Sequence, residues 1–193
     1  DVILNIPITV TNGGDFTLGN GSKIVVQNGG SLTVGVANTI SGTIDVNDGG
    51  TLIFNNTNVP TTLGDLGTTS STVIYSASGA QTIQNKTYAN LTIGGSGTKT
   101  AVSAFTVNGI FTLSGTASLG SNSPTFGASG TLAYVNATDG VTYTEAVEWP
   151  ITNGPSNVTV NLSGASNPTV VITSNKTISG ALTLTAGTFN ING

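Results

Sequence analysis

The chain alternates apolar and polar residues in short segments, each following a turn rich in glycine or asparagine. Its clearest form is an apolar–threonine–apolar triplet, at positions 16–18, 32–34, 91–93, 111–113, 158–160 and 182–184. A period of two places the apolar side chains on one face of a β-strand and threonine on the other. No window follows the helical period, so the pattern predicts an all-β fold. The longest alternation opens the chain and predicts one strand face bearing Val2, Leu4, Ile6, Ile8 and Val10.

Equivalent turns recur at a spacing that favours one β architecture over the others. The Asn/Asp–Gly–Gly turns lie at 12–15, 28–31 and 48–51. Turns every 8–12 residues are typical of sandwiches and barrels. The wider spacing of these turns, roughly 16–20 residues, is about one coil of a parallel β-helix. We therefore predict a β-solenoid of about nine coils, roughly 40–45 Å long. Crossovers between parallel strands are almost always right-handed, so we expect a right-handed coil.

Longer internal repeats define the expected domain organisation. The segment 105–113 recurs at 176–184, and the segment 73–75 recurs at 132–134, so the two offsets are unequal. We predict a single solenoid domain over 1–193, with a short-turn block at 1–54, an irregular excursion at 55–71 and a longer-repeat block at 72–193. The residues predicted to point into its core are Leu32, Val34, Leu52, Phe54, Leu91, Ile93, Phe111, Leu113, Leu182 and Leu184.

Composition excludes most chemistry. Charged residues are 6% of the chain, and it contains no His, Cys, Met or Arg, which removes imidazole bases, thiolates and the usual transition-metal ligands. Four scattered lysines and a net charge of -4 predict no nucleic-acid partner. No apolar run is long enough to span a membrane. The first residues lack a signal peptide, which indicates a mature form or a fragment, and the absence of Cys and Met suits an extracellular protein.

Paired acidic residues are the first candidates for catalysis, because two carboxylates can cleave a glycosidic bond and parallel β-helices host pectin-cleaving enzymes. The pairs are Glu145 with Glu148 and Asp45 with Asp48. Such lyases need a calcium cluster and a basic residue, and no lysine follows either pair closely in sequence. We therefore expect solvated carboxylates, with no catalytic residue, cofactor or metal site. The turn at 47–50 likewise lacks the short, regular repeat of calcium-binding rolls.

Two further patterns have alternative interpretations. Thr-x-Thr motifs at 9–11, 98–100, 142–144 and 183–185 are typical of ice-binding faces, but their unequal offsets along the chain favour ordinary outward threonines. Trp149, close to Tyr143, Glu145 and Glu148, is either a sugar-stacking platform or a plug in the side of the rod. We favour the plug, and the four residues remain the candidate ligand contacts.

Several segments of the sequence resemble repeats of a known group of proteins. The segments 75–83, 88–93, 97–100 and 106–109, together with 148–150, 153–155 and 157–160, resemble repeats of very large secreted surface proteins and gliding adhesins of Bacteroidetes bacteria. The resemblance covers about residues 70–193. It implies export, by the type IX route, and a stalk or adhesive role, and it provides no catalytic residues.

These observations lead to one functional hypothesis and one alternative. We expect a non-catalytic extracellular module of a cell-surface adhesin or filament that supplies stiffness and surface display. The alternative is a carbohydrate-binding module that uses the Trp149 region. Because the chain begins within a strand and stops at 188–193 as a repeat cut short, without a cap, we expect further repeats or identical subunits to join end to end. Glycans or surfaces are the other expected partners.

Overall fold

The chain forms an all-β parallel solenoid of about nine coils, as a computed structural model shows. The structure describes residues 1–10, 16–35, 38–60, 63–136 and 138–191, and these ranges contain no helix. The turn predicted at 12–15 lies outside them. The strands are β1 (Val2–Leu4), β2 (Pro7–Val10), β3 (Phe16–Leu18), β4 (Lys23–Val26), β5 (Ser31–Val34), β6 (Asn38–Ile40), β7 (Thr43–Val46), β8 (Thr51–Phe54), β9 (Thr72–Tyr75), β10 (Gln81–Ile83), β11 (Thr87–Tyr88), β12 (Asn90–Ile93), β13 (Ser96–Ala101), β14 (Phe105–Val107), β15 (Ile110–Ser114), β16 (Thr116–Leu119), β17 (Pro124–Phe126), β18 (Thr131–Asn136), β19 (Thr142–Thr144), β20 (Asn157–Leu162), β21 (Thr169–Ile172), β22 (Leu182–Ala186) and β23 (Thr188–Ile191).

One nine-stranded sheet, here called the long sheet, runs the length of the rod in the order β2-β5-β8-β9-β12-β15-β18-β20-β22. Every coil contributes one strand to it. The other sides of the rod carry shorter sheets, in the orders β1-β4-β7, β3-β6, β10-β13-β16, β11-β14-β17 and β19-β21-β23. Coils up to β17 therefore have strands on up to three sides, whereas the last coils have strands on two.

The unequal offsets between the repeated segments are explained by coils of unequal length. On the long sheet, Val73 pairs with Leu91 and Leu132 pairs with Val158. More residues of the chain separate the second pair than the first. The repeat of segment 73–75 at 132–134 relates β9 to β18, and the repeat of segment 105–113 at 176–184 relates β15 to β22. In both cases the strands are three coils apart. The segment 55–71 lies within one coil, between β8 and β9, where Leu66 forms a parallel bridge to Val46.

The core consists of apolar side chains stacked in register from coil to coil. Eight of the ten residues predicted to point inward, those on β5, β8, β12 and β15, are at most 3% exposed. Burying each contributes about 1.5–3 kcal/mol. Their neighbours along the strand, such as Thr33, Thr92 and Thr112, are half-buried on the outer face. The alternation therefore predicted the buried face of the long sheet correctly.

Two corrections concern the ends of the rod. The pattern predicts that Leu182 and Leu184 are buried, but they are 45% and 52% exposed. Their register with Val158 and Val160 continues the inward rows, and they are uncovered because β22 is the last strand of the long sheet. The opening segment is not one strand either, because the chain turns between β1 and β2 and leaves Ile6 exposed.

Turn chemistry follows the expected rule. Gly29 and Gly49 have φ angles of 77° and 79°, the left-handed region that glycine adopts without steric cost. Their turns stack on each other, and the N–H of Gly29 donates to the carbonyl oxygen of Gly49 at 3.1 Å. Neighbouring corner amides also pair, with Asn47 Nδ2 donating to Gln27 Oε1 at 3.0 Å. The corners are thus held by hydrogen bonds between coils.

Candidate functional site

The segment 145–156 replaces a strand on one side of the seventh coil. It follows β19 and contains no strand. Asn153 O accepts a hydrogen bond from the Phe126 N–H of β17 at 3.0 Å, and Trp149 O accepts one from Lys176 Nζ at 2.6 Å. The segment is therefore stacked between neighbouring coils although it is irregular.

Trp149 lies in the hydrophobic core. It is 1% exposed, and its ring centroid is 6.5 Å from that of Phe189. An indole with so little exposed surface offers almost no face for stacking on a sugar. Its placement favours the plug over the platform.

Glu145 joins two coils through its carboxylate. It accepts hydrogen bonds from the Thr173 N–H at 3.0 Å and the Ser174 hydroxyl at 2.6 Å, and Lys176 Nζ lies 4.0 Å away. Burial raises the pKa of Glu145, but these hydrogen bonds and the Lys176 charge outweigh burial and hold it below the ordinary value. Glu145 is thus an ionised acceptor that organises the chain after β21.

Glu148 is in a different environment, although it is close to Glu145 in sequence. It is 2% exposed, and its Oε1 accepts hydrogen bonds from the Tyr134 hydroxyl at 3.0 Å and from the Ala146 N–H at 3.1 Å. Burial raises the pKa of the Glu148 carboxyl. The environments of the two glutamates therefore shift their pKa values in opposite directions.

Tyr143 also points into the rod. Its ring lies 5.4 Å from that of Tyr134, and its hydroxyl donates to Gly115 O at 2.7 Å. Burial raises the pKa of Tyr143 to about 12. The four candidate ligand contacts, Tyr143, Glu145, Glu148 and Trp149, are thus all buried, whereas the sequence predicts solvated carboxylates for both glutamates. That prediction is wrong because the irregular path of 145–156 carries these side chains into the core.

The second acidic pair is separated by its partners. Asp45 forms an ion pair with Lys23 at 2.7 Å and accepts the Asp65 N–H at 3.0 Å. Asp48 Oδ1 accepts the N–H groups of Thr69 and Ser70, with the bond from Ser70 contributing most to a lowered pKa. Within the described ranges, no three acidic, histidine or cysteine side chains lie close enough to hold a metal ion.

Sequence reasoning missed the lysines that serve these sites. Lys23 and Lys176 each lie about one coil away from Asp45 and Glu145, so proximity in sequence did not reveal them. It also missed Lys99, which is fully buried and donates to the carbonyl oxygens of Ala77, Gly79 and Ser96 at 2.7–3.0 Å. The signal was present: Lys99 occupies the inward position between two outward threonines.

The uncovered end of the rod is the other candidate site. A hollow of about 350 Å³ lies there, lined by Trp149, Ile172, Ile178, Leu182 and Phe189 among others. Ile191 on β23 is 72% exposed beside it. At the opposite end, Val2 and Ile6 are 55% and 61% exposed. Both ends therefore present apolar side chains to solvent.

Comparison of the chain with protein-family models, with curated proteins and with solved structures gave no match. Across the part of the chain that the structure describes, no helix is long and apolar enough to cross a membrane.

Proposed function

We propose that this chain is a non-catalytic structural module of a bacterial surface adhesin or filament, which supplies a stiff stalk and assembles end to end. The observation that carries the proposal is the uncovered last coil. The two inward rows of the long sheet terminate at Leu182 and Leu184, each about half exposed. Large apolar side chains in such rows gain stability when another coil covers them.

Stiffness follows from the way the coils are joined. Each strand of the long sheet pairs in parallel with the next, and β18 and β20 pair along their whole length. Aromatic contacts continue inside, as between Phe105 and Phe111 at 6.1 Å and between Phe111 and Phe126 at 6.4 Å. A rod with a continuous core and continuous hydrogen bonds resists bending between coils. Its length grows by about 4.8 Å with each coil.

The edge of β22 is suited to receive another strand. The Val158 N–H donates to Ala181 O, and backbone groups of successive strand residues point alternately to opposite sides. The N–H and C=O groups of Leu182 and Leu184 therefore point away from β20. A further parallel strand, from the same polypeptide or from an identical subunit, would pair with these groups and cover both side chains.

An extracellular, cell-surface location is part of the proposal. It is supported by the absence of Cys and Met from the sequence, which removes the residues most sensitive to oxidation, and by the resemblance to secreted Bacteroidetes repeats. The acidic composition, with eight Asp and Glu against four Lys, keeps such a rod soluble.

Electron microscopy of the isolated chain over a range of concentrations tests this function. We expect rods whose length increases in steps of one chain. Leu184→Asp should abolish the longer particles because it places a charge in the apolar end. Thr183→Asp, a neighbouring change on the outer face, should leave them. Monomers at every concentration, or equal effects of both substitutions, would refute end-to-end assembly.

A further inference from the structure

Strand stacking is interrupted on one side of the rod between β16 and β19. β16 is the last strand of one three-stranded sheet and β19 is the first of another. In the same two coils, the long-sheet strands β15 and β18 remain paired from Ile110 to Ser114. A cleft of about 370 Å³ opens on this side, and its walls include Thr116, Ser118, Thr142 and Thr144.

The lower wall of the cleft is an unpaired strand edge. The N–H groups of Thr116 and Gly120 donate to Gly95 O and Lys99 O in the preceding coil. Because successive residues of a strand direct their backbone groups to opposite sides, the N–H and C=O groups of Ala117 and Leu119 point toward the cleft.

The upper wall is an unpaired edge as well. Val141 O accepts the Thr169 N–H, and the Glu145 N–H donates to Val171 O in the following coil. The backbone groups of Thr142 and Thr144 accordingly point down, toward β16. No partner for these groups, or for those of Ala117 and Leu119, occurs among the residues that the structure describes. Two strand edges thus face each other without a strand between them.

The floor of the cleft holds a buried carboxylate with unused hydrogen-bonding capacity. Glu148 lines the cleft and is 2% exposed. Its Oε1 accepts the bonds from Tyr134 and Ala146, and the Glu148 N–H also donates to the carboxylate. No donor from another residue reaches Oε2 within the described ranges, so part of the acceptor capacity of the carboxylate is unfilled. The nearby Lys176 directs its Nζ to Trp149 O. A buried carboxylate is costly when its acceptor sites are only partly filled, and a bound donor would reduce that cost.

We propose that this cleft binds a short extended peptide segment, inserted as a strand between β16 and β19, with a lysine side chain directed inward to Glu148. Alternating backbone donors and acceptors on both walls match a peptide backbone. The length of the inserted strand should match β19, which has three residues. An inward lysine already occurs on the adjacent strand β13. There Lys99 lies between outward Thr98 and Thr100, and its Nζ donates to backbone carbonyl oxygens. The site goes beyond the stalk function and does not depend on it.

The probe is the acetylated and amidated peptide GTKTA, which reproduces residues 97–101, and the control is the same peptide with leucine in place of lysine. Titration of isotope-labelled protein by nuclear magnetic resonance should give saturable shifts of the Ala117, Leu119, Thr142 and Thr144 amides. Because hydrogen bonds to a charged group are the strong ones, the leucine peptide should bind at least about tenfold more weakly. Glu148→Gln should weaken GTKTA by a similar factor and leave the leucine peptide unchanged.

Three results would overturn the proposal. The first is the absence of saturable shifts at those amides with GTKTA at millimolar concentration. The second is equal binding of both peptides to the unmodified chain, which needs no variant to fold. The third is shifts at those amides from a panel of mono- and disaccharides but not from GTKTA, which would make the cleft a sugar site.

Discussion

The middle and the last coils of the rod satisfy their buried polar groups in different ways. From β9 to β17, three strands per coil stack in register, and backbone ladders pair most N–H and C=O groups. From β18 onward one side of the coil is irregular, and side chains replace the missing ladder. Gly115 O, for example, accepts bonds from the side chains of Asn136 and Tyr143, whereas Gly95 O, one coil earlier, accepts the Thr116 N–H.

This difference shows where chemistry accumulates in a solenoid. A regular coil needs only small outward residues and apolar inward ones. It therefore has few polar or charged side chains that could bind a ligand. Where a strand is lost, buried carboxylates and hydroxyls become necessary to pair the backbone. The glutamates, the single tryptophan and the β16–β19 cleft therefore lie in one region. Lys99 is the exception, a buried charge within regular coils that is neutralised by no carboxylate in the described structure.

The largest expected effect comes from breaking a regular coil. Leu91→Asp places a charge in the fully buried inner row between Val73 and Phe111, and should lower the free energy of unfolding by more than about 4 kcal/mol. Thr92→Asp, on the outer face of the same strand, should cost about 1 kcal/mol or less. Urea unfolding followed by circular dichroism measures both. Similar losses would contradict the assignment of the inner and outer faces.

Removing Trp149 tests the irregular region. Trp149→Ala should cost about 3–5 kcal/mol because it leaves a large cavity against Phe189. Ile151→Ala, at an 80% exposed position, is the matched control and should be nearly silent. Hydrogen exchange should show the loss concentrated in β20 to β23. Glycan-array binding by the unmodified chain that disappears in Trp149→Ala, without a loss of stability, would support the carbohydrate-binding alternative instead.

The fold was largely predictable because its signals are local. Period-two alternation identified the strands of the long sheet, and spacing between glycine turns identified the coil. The sequence did not reveal which inward residues would be uncovered, because the exposure of Leu182 depends on the absence of a following coil in the structure. It also missed the contacts of Lys176 and the burial of Glu148, since both depend on how an irregular segment packs one coil away. Periodicity has no information about such segments.

A smaller effect is expected from pH. The pKa of Glu148 is raised above its ordinary value of 4.5, so the folded state binds this proton more tightly than the unfolded state does. Its contribution therefore favours folding at low pH and is lost as pH rises from about 4.5 through the folded pKa. Glu148→Gln should remove that loss, and Glu145→Gln should not, because the pKa of Glu145 is lowered. Unfolding free energies from about pH 4 to 8 provide the test; unchanged pH dependence in Glu148→Gln would contradict it.

The smallest effect should come from chelation. The carboxylates whose partners are known bind lysines, hydroxyls or backbone N–H groups, so folding should not require a metal ion. The melting temperature should be the same with and without EDTA. A large decrease on adding EDTA, reversed by calcium, would show that a coil of either region depends on an ion.

The central claim is that another coil extends the rod. Hydrogen exchange at the edge of β22 tests this claim most directly. The amides of Leu182 and Leu184 point away from β20 and should exchange rapidly in dilute solution. We expect their protection to increase with protein concentration, while that of the already paired Thr183 amide changes little, and we expect Leu184→Asp to abolish the increase. Rapid exchange of both amides at every concentration would contradict strand addition at this end.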